Sequence, residues 1–170
     1  MENKFANDVL KKVMNELYYY LMRQGADSET AKDIVQDSVY KMMIHIDAID
    51  PNKYRAWLFK VATNLYYDYC RKKSRAPSFE LDENLASNAE LIEDVMVTKE
   101  NQQHIRKMLE LLPTAYKQLL LLKYELEWSY QQIADYLEIK PNNVKTYLAR
   151  ARKKFKDIYQ GEENEKKRRK

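Results

Sequence analysis

Glycine is nearly missing from this chain, since only Gly25 and Gly161 occur among its 170 residues. Tight two-residue hairpins and glycine-rich phosphate loops need glycine, because their backbones take positive φ angles or approach a ligand closely. The sequence has almost nothing from which to build either feature. The scarcity of glycine therefore predicts an all-α fold.

Composition excludes several further classes of protein. Hydrophobic residues make up 45% of the chain, but the mean hydropathy is −0.76, and no apolar run approaches the roughly 20 residues of a membrane-spanning helix. The first residues show no basic segment followed by an apolar stretch, so we expect no secretory signal, no membrane insertion and a cytoplasmic protein. Cys70 is the only cysteine, and the chain has two histidines. We therefore expect no disulfide, no metal site and no cofactor.

Charge divides the chain into three blocks. Residues 1–75 carry 13 basic and 10 acidic side chains, residues 76–103 carry one and seven, and residues 104–170 carry 16 and nine. The middle block contains Pro, Ser and Asn without a sustained helical period, which is typical of a linker. We predict two small helical domains, 1–75 and 104–160, joined by a flexible acidic linker, 76–103, and followed by a disordered basic tail, 161–170.

Three helices are predicted in the first block. The first should end at Gly25, and the second should run from about 29 to 47. A cap and a first-turn proline at Asp50 and Pro51 should open the third helix, at about 53–73. The predicted core stripes are Val9, Val13, Leu17 and Leu21 in the first helix, Val35, Val39, Met42 and Ile46 in the second, and Trp57, Val61, Leu65 and Tyr69 in the third.

The polar face of the third helix combines cations, aromatic rings and an amide. Its members are Lys60, Asn64, Tyr67 and Arg71, extended by Arg55 and Tyr66. Aromatic rings that stack unpaired bases, set among cations that follow the backbone, are typical of single-stranded nucleic-acid binding. The alternative is that the tyrosines pack in or beside the core, and for any one of them both interpretations stay open.

The last block predicts a helix-turn-helix. Helices are expected at 105–111 and 113–124, and a capping box at 129–132 opens a short helix. A tight turn at Glu138 then leads into a longer helix, at about 141–159, and this order is that of a DNA-binding helix-turn-helix.

The longer helix is amphipathic. Its narrow apolar arc consists of Val144, Leu148, Ala151, Phe155 and Ile158, and its opposite arc of Asn142, Lys145, Thr146, Ala149, Arg150, Lys153 and Lys156. Arg, Asn and Thr side chains can read base edges in a major groove. A basic face alone would suit any solvated helix, but on the second helix of a helix-turn-helix it indicates duplex DNA.

Two like charges lie one turn apart on the polar face of the second helix. Asp33 and Asp37, with Gln36 between them, repel each other at a cost of about 0.2–0.5 kcal/mol, which an external partner would explain. The alternative is that acidic side chains near a helix start are favoured by the helix dipole.

Three motifs appear in the order found in one known family. The segments are AKDIVQDSVYKM, YRAWLFKVATNLYYDYCRK and LLPTAYKQLLLLKYELEWSYQQIADYLEIKPNNVKTYLARARKKF. They resemble, in turn, the clamp-binding helix, the promoter-melting and −10-recognition helix, and the −35-binding domain of the extracytoplasmic-function (ECF) group of bacterial RNA polymerase sigma factors. The resemblance covers about residues 7–159 and implies a sigma factor that directs promoter-specific transcription initiation and is not itself an enzyme.

The resemblance also implies partners and residue roles. The partners are core RNA polymerase, through the clamp of its largest subunits, promoter DNA in duplex and single-stranded form, and an anti-sigma factor. The polymerase-binding positions of the family are matched by Asp33, Gln36 and Asp37. A family position near the −10 strand is matched by Asn64, and its neighbouring candidates are Lys60, Tyr67 and Arg71. The positions that enter the −35 groove are matched by Lys145, Thr146, Ala149 and Arg150, and Arg152 and Lys153 are placed for phosphates.

Three positions depart from the family's pattern, and one of them is Tyr147, where relatives often have Arg. Glu138 stands where relatives usually have glycine, so we expect a left-handed backbone there at a cost of roughly 1 kcal/mol. Lys140 stands where Ser or Thr usually caps the last helix, and it cannot accept the capping hydrogen bond, although Pro141 still presets the first turn.

Two other functions stay open from the residues alone. A stand-alone dimeric helix-turn-helix regulator would bind duplex operators without polymerase, but the chain has no sustained heptads for dimerisation. An adaptor protein would use the basic faces to bind acidic proteins. No arrangement of His, Ser or Cys side chains indicates catalysis.

Overall fold

The structure is a computed structural model that describes residues 2–73 and 99–169. Every regular element in those ranges is helical, which confirms the all-α prediction. None of these helices has the length and apolar character that a membrane span requires. The elements are α1 (Glu2–Gln24), α2 (Ser28–Ile44), a 3₁₀ turn (Ile46–Ala48), α3 (Tyr54–Lys72), α4 (Lys99–Glu110), α5 (Thr114–Leu120), a π-helical turn (Leu121–Glu125), α6 (Tyr130–Leu137) and α7 (Pro141–Arg168).

Two compact units share these elements. The first comprises Met1–Pro77 with Gln131–Glu138, and the second comprises Ser78–Tyr130 with Ile139–Lys170. By its contacts α6 therefore belongs with α1, α2 and α3. Most of the predicted acidic linker lies outside the described residues, so the predicted domain boundaries stay predictions, while residues 99–103 begin α4.

The core of the first unit contains the stripes predicted for α1 and α2 with two exceptions, the first of which is Val9 on α1, a residue that is only half-buried. Val13, Leu17 and Leu21 are buried on α1, and Val35, Val39 and Met42 are buried on α2. Ile46 is 52% exposed, so its prediction as a core residue was wrong. The reason is that α2 ends at Ile44, and the 3₁₀ turn that follows no longer has the helical period.

The core stripe predicted for α3 was wrong by one residue. The residues buried along α3 are Ala56, Leu58, Phe59, Ala62, Thr63, Tyr66 and Cys70, whereas Trp57, Val61, Leu65 and Tyr69 are only half-buried. One residue corresponds to a rotation of about 100°. The sequence pattern followed the larger apolar side chains, but several small side chains face the core.

The turn between α1 and α2 follows the prediction. Gly25 has a φ of 106°, which strains any residue with a Cβ atom. Asp27 caps α2, because its carboxylate accepts hydrogen bonds from the Thr30 backbone N–H and hydroxyl, each at 2.8 Å. These hydrogen bonds lower the pKa of Asp27.

A buried polar network joins α6 to α1 and α3 within the first unit. The Tyr136 hydroxyl donates to Thr63 Oγ1 at 3.0 Å and lies 3.4 Å from the Tyr20 hydroxyl. Burial raises the pKa of Tyr20 and Tyr136, so both hydroxyls stay neutral at physiological pH. Lys53 forms an ion pair with Asp135 at 3.3 Å.

Trp128 and α7 supply much of the core of the second unit. Trp128, Val144, Leu148 and Ala151 are fully buried, and α5 packs against α7. This confirms the apolar arc of α7, whose outer members Phe155 and Ile158 are half-buried. Lys117 is buried as well, and its ammonium group donates to both carboxylate oxygens of Glu110 at 2.8 Å.

The boundary between α6 and α7 confirms the sequence prediction. Glu138 has a φ of 58°, and Pro141 opens α7 while Lys140 makes no side-chain capping hydrogen bond. A second left-handed residue, Glu127 with a φ of 53°, precedes α6 and was not predicted.

α7 is longer than predicted. It was expected to end near Tyr159 with a disordered tail beyond, but the helix continues to Arg168. Gly161 costs about 1 kcal/mol relative to alanine in a helix, and the residues after it include good helix formers. Glu165 and Arg169 form an ion pair one turn apart at 3.6 Å.

Replacing Glu138 by glycine should raise the free energy of unfolding by up to about 1 kcal/mol, because glycine takes a positive φ without the Cβ clash. Urea denaturation followed by circular dichroism measures the change. Glu138→Gln is the matched control, since it removes the charge and keeps the Cβ atom. Equal stability of the two variants would show that the left-handed backbone is not strained here.

Candidate nucleic-acid and protein interfaces

The three residues predicted on α2 share one exposed face. Asp33, Gln36 and Asp37 are all exposed, because α2 packs its opposite side on α1 and α3. The same face continues with Tyr40 and Ile44, whose side chains are 67% and 59% exposed. An acidic patch therefore adjoins an apolar one, a combination that suits a protein partner with basic and apolar side chains.

The four residues predicted on the polar face of α3 are also brought together. Asn64 and Arg71 are exposed, while Lys60 and Tyr67 are half-buried. Arg71 forms an ion pair with Asp68 on the same face. Lys60 lies 5.8 Å from the centre of the Tyr136 ring and 3.7 Å from the Glu138 carboxylate.

Two residues that were predicted to extend this face do not belong to it. Tyr66 is only 6% exposed, and its hydroxyl donates to the backbone oxygen of Gln24 at 3.4 Å. Burial raises the pKa of Tyr66. Arg55 is half-buried and forms an ion pair with Glu16 on α1. Tyr66 is therefore a core residue, as the alternative interpretation proposed.

The basic face of α7 has an exposed part and a half-buried part. Lys145, Thr146 and Lys153 are exposed, and Ala149, Arg150 and Arg152 are half-buried. The Arg150 guanidinium lies 5.7 Å from the centre of the Tyr147 ring, and Arg152 donates to the Tyr124 hydroxyl at 2.9 Å. Neighbouring tyrosines thus hold two of these cations, a feature that the helical pattern of α7 alone did not indicate.

The described ranges offer no cluster of side chains for a metal ion. Residues 2–73 and 99–169 contain no group of three or more His, Cys, Asp or Glu side chains that could hold a metal ion. Cys70 is buried.

The chain matches two family models, described as "Sigma-70 region 2" over residues 9–76 and "Sigma-70, region 4" over residues 102–155. It is 29% identical to ECF RNA polymerase sigma factor SigM of Bacillus subtilis, covering 90% of this chain and 94% of SigM. It is 30% identical to ECF RNA polymerase sigma factor SigW of the same organism, covering 85% of this chain and 83% of SigW.

Two solved structures have folds similar to that of this chain. The sigma factor RpoE of Bartonella quintana, in complex with the anti-sigma factor NepR, has a TM-score of 0.65 at 21% identity over 92% of this chain and 98% of RpoE. CnrH, in complex with the cytosolic domain of CnrY, has a TM-score of 0.64 at 19% identity over 91% of this chain and 87% of CnrH.

An all-α chain that carries sigma-70 regions 2 and 4 in order, each with an exposed polar face, is a transcription initiation factor that directs RNA polymerase to promoters. The protein belongs to the ECF group of RNA polymerase sigma factors.

The different positions of Tyr66 and Asn64 on α3 predict opposite effects of substitution. Tyr66→Ala should lower the free energy of unfolding by about 3–5 kcal/mol, because it leaves a cavity in the core. Asn64→Ala should change it by no more than about 0.5 kcal/mol. Chemical denaturation of both variants is the measurement. If the Tyr66→Ala protein is as stable as the wild type, Tyr66 is not a core residue.

Proposed function

We propose that this sigma factor uses three separate faces during initiation: α2 holds core RNA polymerase, α3 holds the melted −10 strand, and α7 reads the −35 duplex. The observation that carries the proposal is that each predicted set of residues lies together on the solvent-facing side of its helix. The polymerase would supply the chemistry of RNA synthesis, and this chain would act in the cytoplasm without an enzymatic activity.

The geometry of α7 supports DNA recognition at its N-terminal end. Helix-turn-helix proteins place the first turns of the second helix in the major groove. Lys145 and Thr146 are exposed in the second turn, and Ala149 follows one turn later with a methyl group that can contact thymine. Arg152 and Lys153 lie further along the helix and are placed for phosphates.

The polar face of α3 supports binding of an unpaired strand. Asn64 offers an amide for hydrogen bonds to bases, and Tyr67 offers a ring on which a base can stack. Lys60 and Arg71 flank them, and their ion pairs with Glu138 and Asp68 would open so that the two cations contact phosphates. Stacking is worth about 1–3 kcal/mol per base, which would offset part of the cost of separating the −10 strands.

The acidic face of α2 supports a protein partner. Asp33 and Asp37 repel each other when the helix is free, and basic side chains on polymerase would relieve that repulsion. The apolar side chains next to them, Tyr40 and Ile44, would add contact area at the same site.

An anti-sigma factor is a further proposed partner. The RpoE and CnrH structures each contain a second protein, described for RpoE as the anti-sigma factor NepR. By likeness of fold, a protein of that kind would keep this chain inactive until a signal releases it.

The first experiment is reconstitution with purified bacterial core RNA polymerase and a genomic promoter library. Sequence-selective start sites, read by sequencing the transcripts, are the expected result. A chain that ignores core polymerase but retains specific duplexes would be a stand-alone regulator, and the proposal would fail.

Arg150→Ala should weaken binding of the matched −35 duplex by about 1–3 kcal/mol if the guanidinium makes a bidentate contact with guanine. Fluorescence anisotropy with matched and scrambled duplexes measures the effect. Arg150→Lys is the control that keeps the charge and loses the bidentate geometry. If the wild-type protein binds both duplexes equally, Arg150 does not read a base.

Asp37→Arg should weaken association with core polymerase at least tenfold, because it reverses a charge in the proposed contact. The fold should stay intact, since Asp37 is exposed. Asp8→Arg, the same change at an exposed position on α1, is the matched control. Surface plasmon resonance against immobilised core polymerase is the measurement, and unchanged affinity of the Asp37 variant would contradict the proposed face.

A further inference from the structure

Two carboxylates at the end of α6 are paired with lysines of the first unit. They are the acidic side chains of residues 131–138, a segment that belongs to that unit. Asp135 pairs with Lys53 at 3.3 Å, and Glu138 pairs with Lys60 at 3.7 Å. The Lys60 ammonium also lies 5.8 Å from the centre of the Tyr136 ring. The end of α6 therefore places a carboxylate and a ring beside Lys60.

Both lysines are on the side of α3 that carries its polar face. Lys53 comes directly before α3, and Lys60 follows seven residues later, which is close to two full turns of a helix. The face continues from Lys60 at intervals of four, three and four residues to Asn64, Tyr67 and Arg71. The lysines that α6 contacts are thus nearly in register with the residues proposed to hold the melted −10 strand.

A buried hydroxyl network keeps the Glu138 carboxylate near Lys60. Tyr136 is 3% exposed and donates to Thr63, three residues after Lys60. The Thr63 hydroxyl in turn donates to the Phe59 backbone oxygen at 2.8 Å. These buried hydrogen bonds fix α6 against α3 and hold Glu138, two residues after Tyr136, within reach of the ammonium group.

The backbone of Glu138 is unfavourable for glutamate. Its φ of 58° strains a residue with a Cβ atom, and strained residues of this kind cluster at functional sites. The Glu138 side chain is 77% exposed, and exposed ion pairs stabilise a fold very little. Stability therefore does not explain why a carboxylate stands here, whereas a role in the binding of nucleic acid does.

We propose that Glu138 is an intramolecular competitor of the −10 strand, because its carboxylate occupies the position on Lys60 that a backbone phosphate takes when single-stranded DNA binds. The inference rests on the proposed function of α3. A carboxylate and a phosphate at one ammonium group repel each other, so strand binding displaces Glu138. The affinity of the chain for single strands is lowered as long as α6 lies against α3.

A double-mutant cycle on the full chain tests the competition. Binding of a short fluorescein-labelled oligo(dT) is measured by fluorescence anisotropy at about 50 mM salt, where charge contacts are weakly screened. Glu138→Gln should bind the oligonucleotide about two- to fivefold more tightly, the range expected when an exposed ion pair is removed. In a Lys60→Gln background the same substitution should have no effect, because the cation for which the two anions compete is missing.

Glu127→Gln is the matched control. Glu127 is also an exposed glutamate with a left-handed backbone, so the variant makes the same change of side chain and of net charge. Its affinity for the oligonucleotide should stay at the wild-type value. An equal gain in Glu127→Gln, or an equal gain from Glu138→Gln with and without Lys60, would mean a general charge effect and would overturn the role of Glu138.

Failure of the inference is distinguishable from failure of the proposed function. If Lys60→Gln weakens binding but Glu138→Gln leaves it unchanged, the inference is wrong and the role of α3 stands. If Lys60→Gln has no effect in either background, or if the wild type and Glu138→Gln both fail to bind the oligonucleotide, both are wrong.

Discussion

The rotation of α3 about its axis determines which of its side chains reach the surface of the first unit. Ala56, Ala62 and Cys70 are buried where α3 meets its neighbours, and small side chains allow helix axes to approach closely. The buried face also includes Phe59 and Tyr66, so it combines small side chains with large rings. With the observed rotation, Asn64 and Arg71 are exposed and Tyr66 is buried.

Aromatic rings have two different roles in this chain. In the first unit Tyr20, Tyr66 and Tyr136 are buried with hydrogen-bonded hydroxyls, so they stabilise the core. In the second unit Tyr124 and Tyr147 lie beside arginines of α7. A cation that rests on a ring or hydroxyl has fewer rotamers to lose when it binds DNA, which links the tyrosine content of the chain to its proposed function.

Among the residues that the structure describes, three have a left-handed backbone, and one of these three is glycine. Gly25 ends α1, while Glu127 and Glu138 lie on either side of α6. A positive φ at a residue with a Cβ atom costs roughly 1 kcal/mol, and the surrounding contacts must offset it. Around Glu127 those contacts include the hydrogen bonds that close the π-helical turn and the burial of Trp128.

The sequence by itself determined the helical class, most of the stripes of α1, α2 and α7, and the turn at Gly25, whereas the left-handed backbone at Glu138 was implied by the resemblance to the ECF sigma factors. The features determined by the sequence follow from local rules, because the period of apolar residues, a cap or a turn glycine acts within a few residues of the chain. The exposed faces with Asp33 and Lys145 followed from the same periodicity.

Only the tertiary structure decided the rotation of α3, the position of Tyr66, the π-helical turn and the grouping of α6 with α1 and α3. When the apolar arc of a helix is broad, the sequence determines the rotation of the helix only to within about one residue. Which residues then face the core depends on the side chains that fit against the neighbouring helices. The tyrosine that holds Arg152 of α7 became visible for the same reason: Tyr124 is far from Arg152 in the chain, and folding alone places the two together.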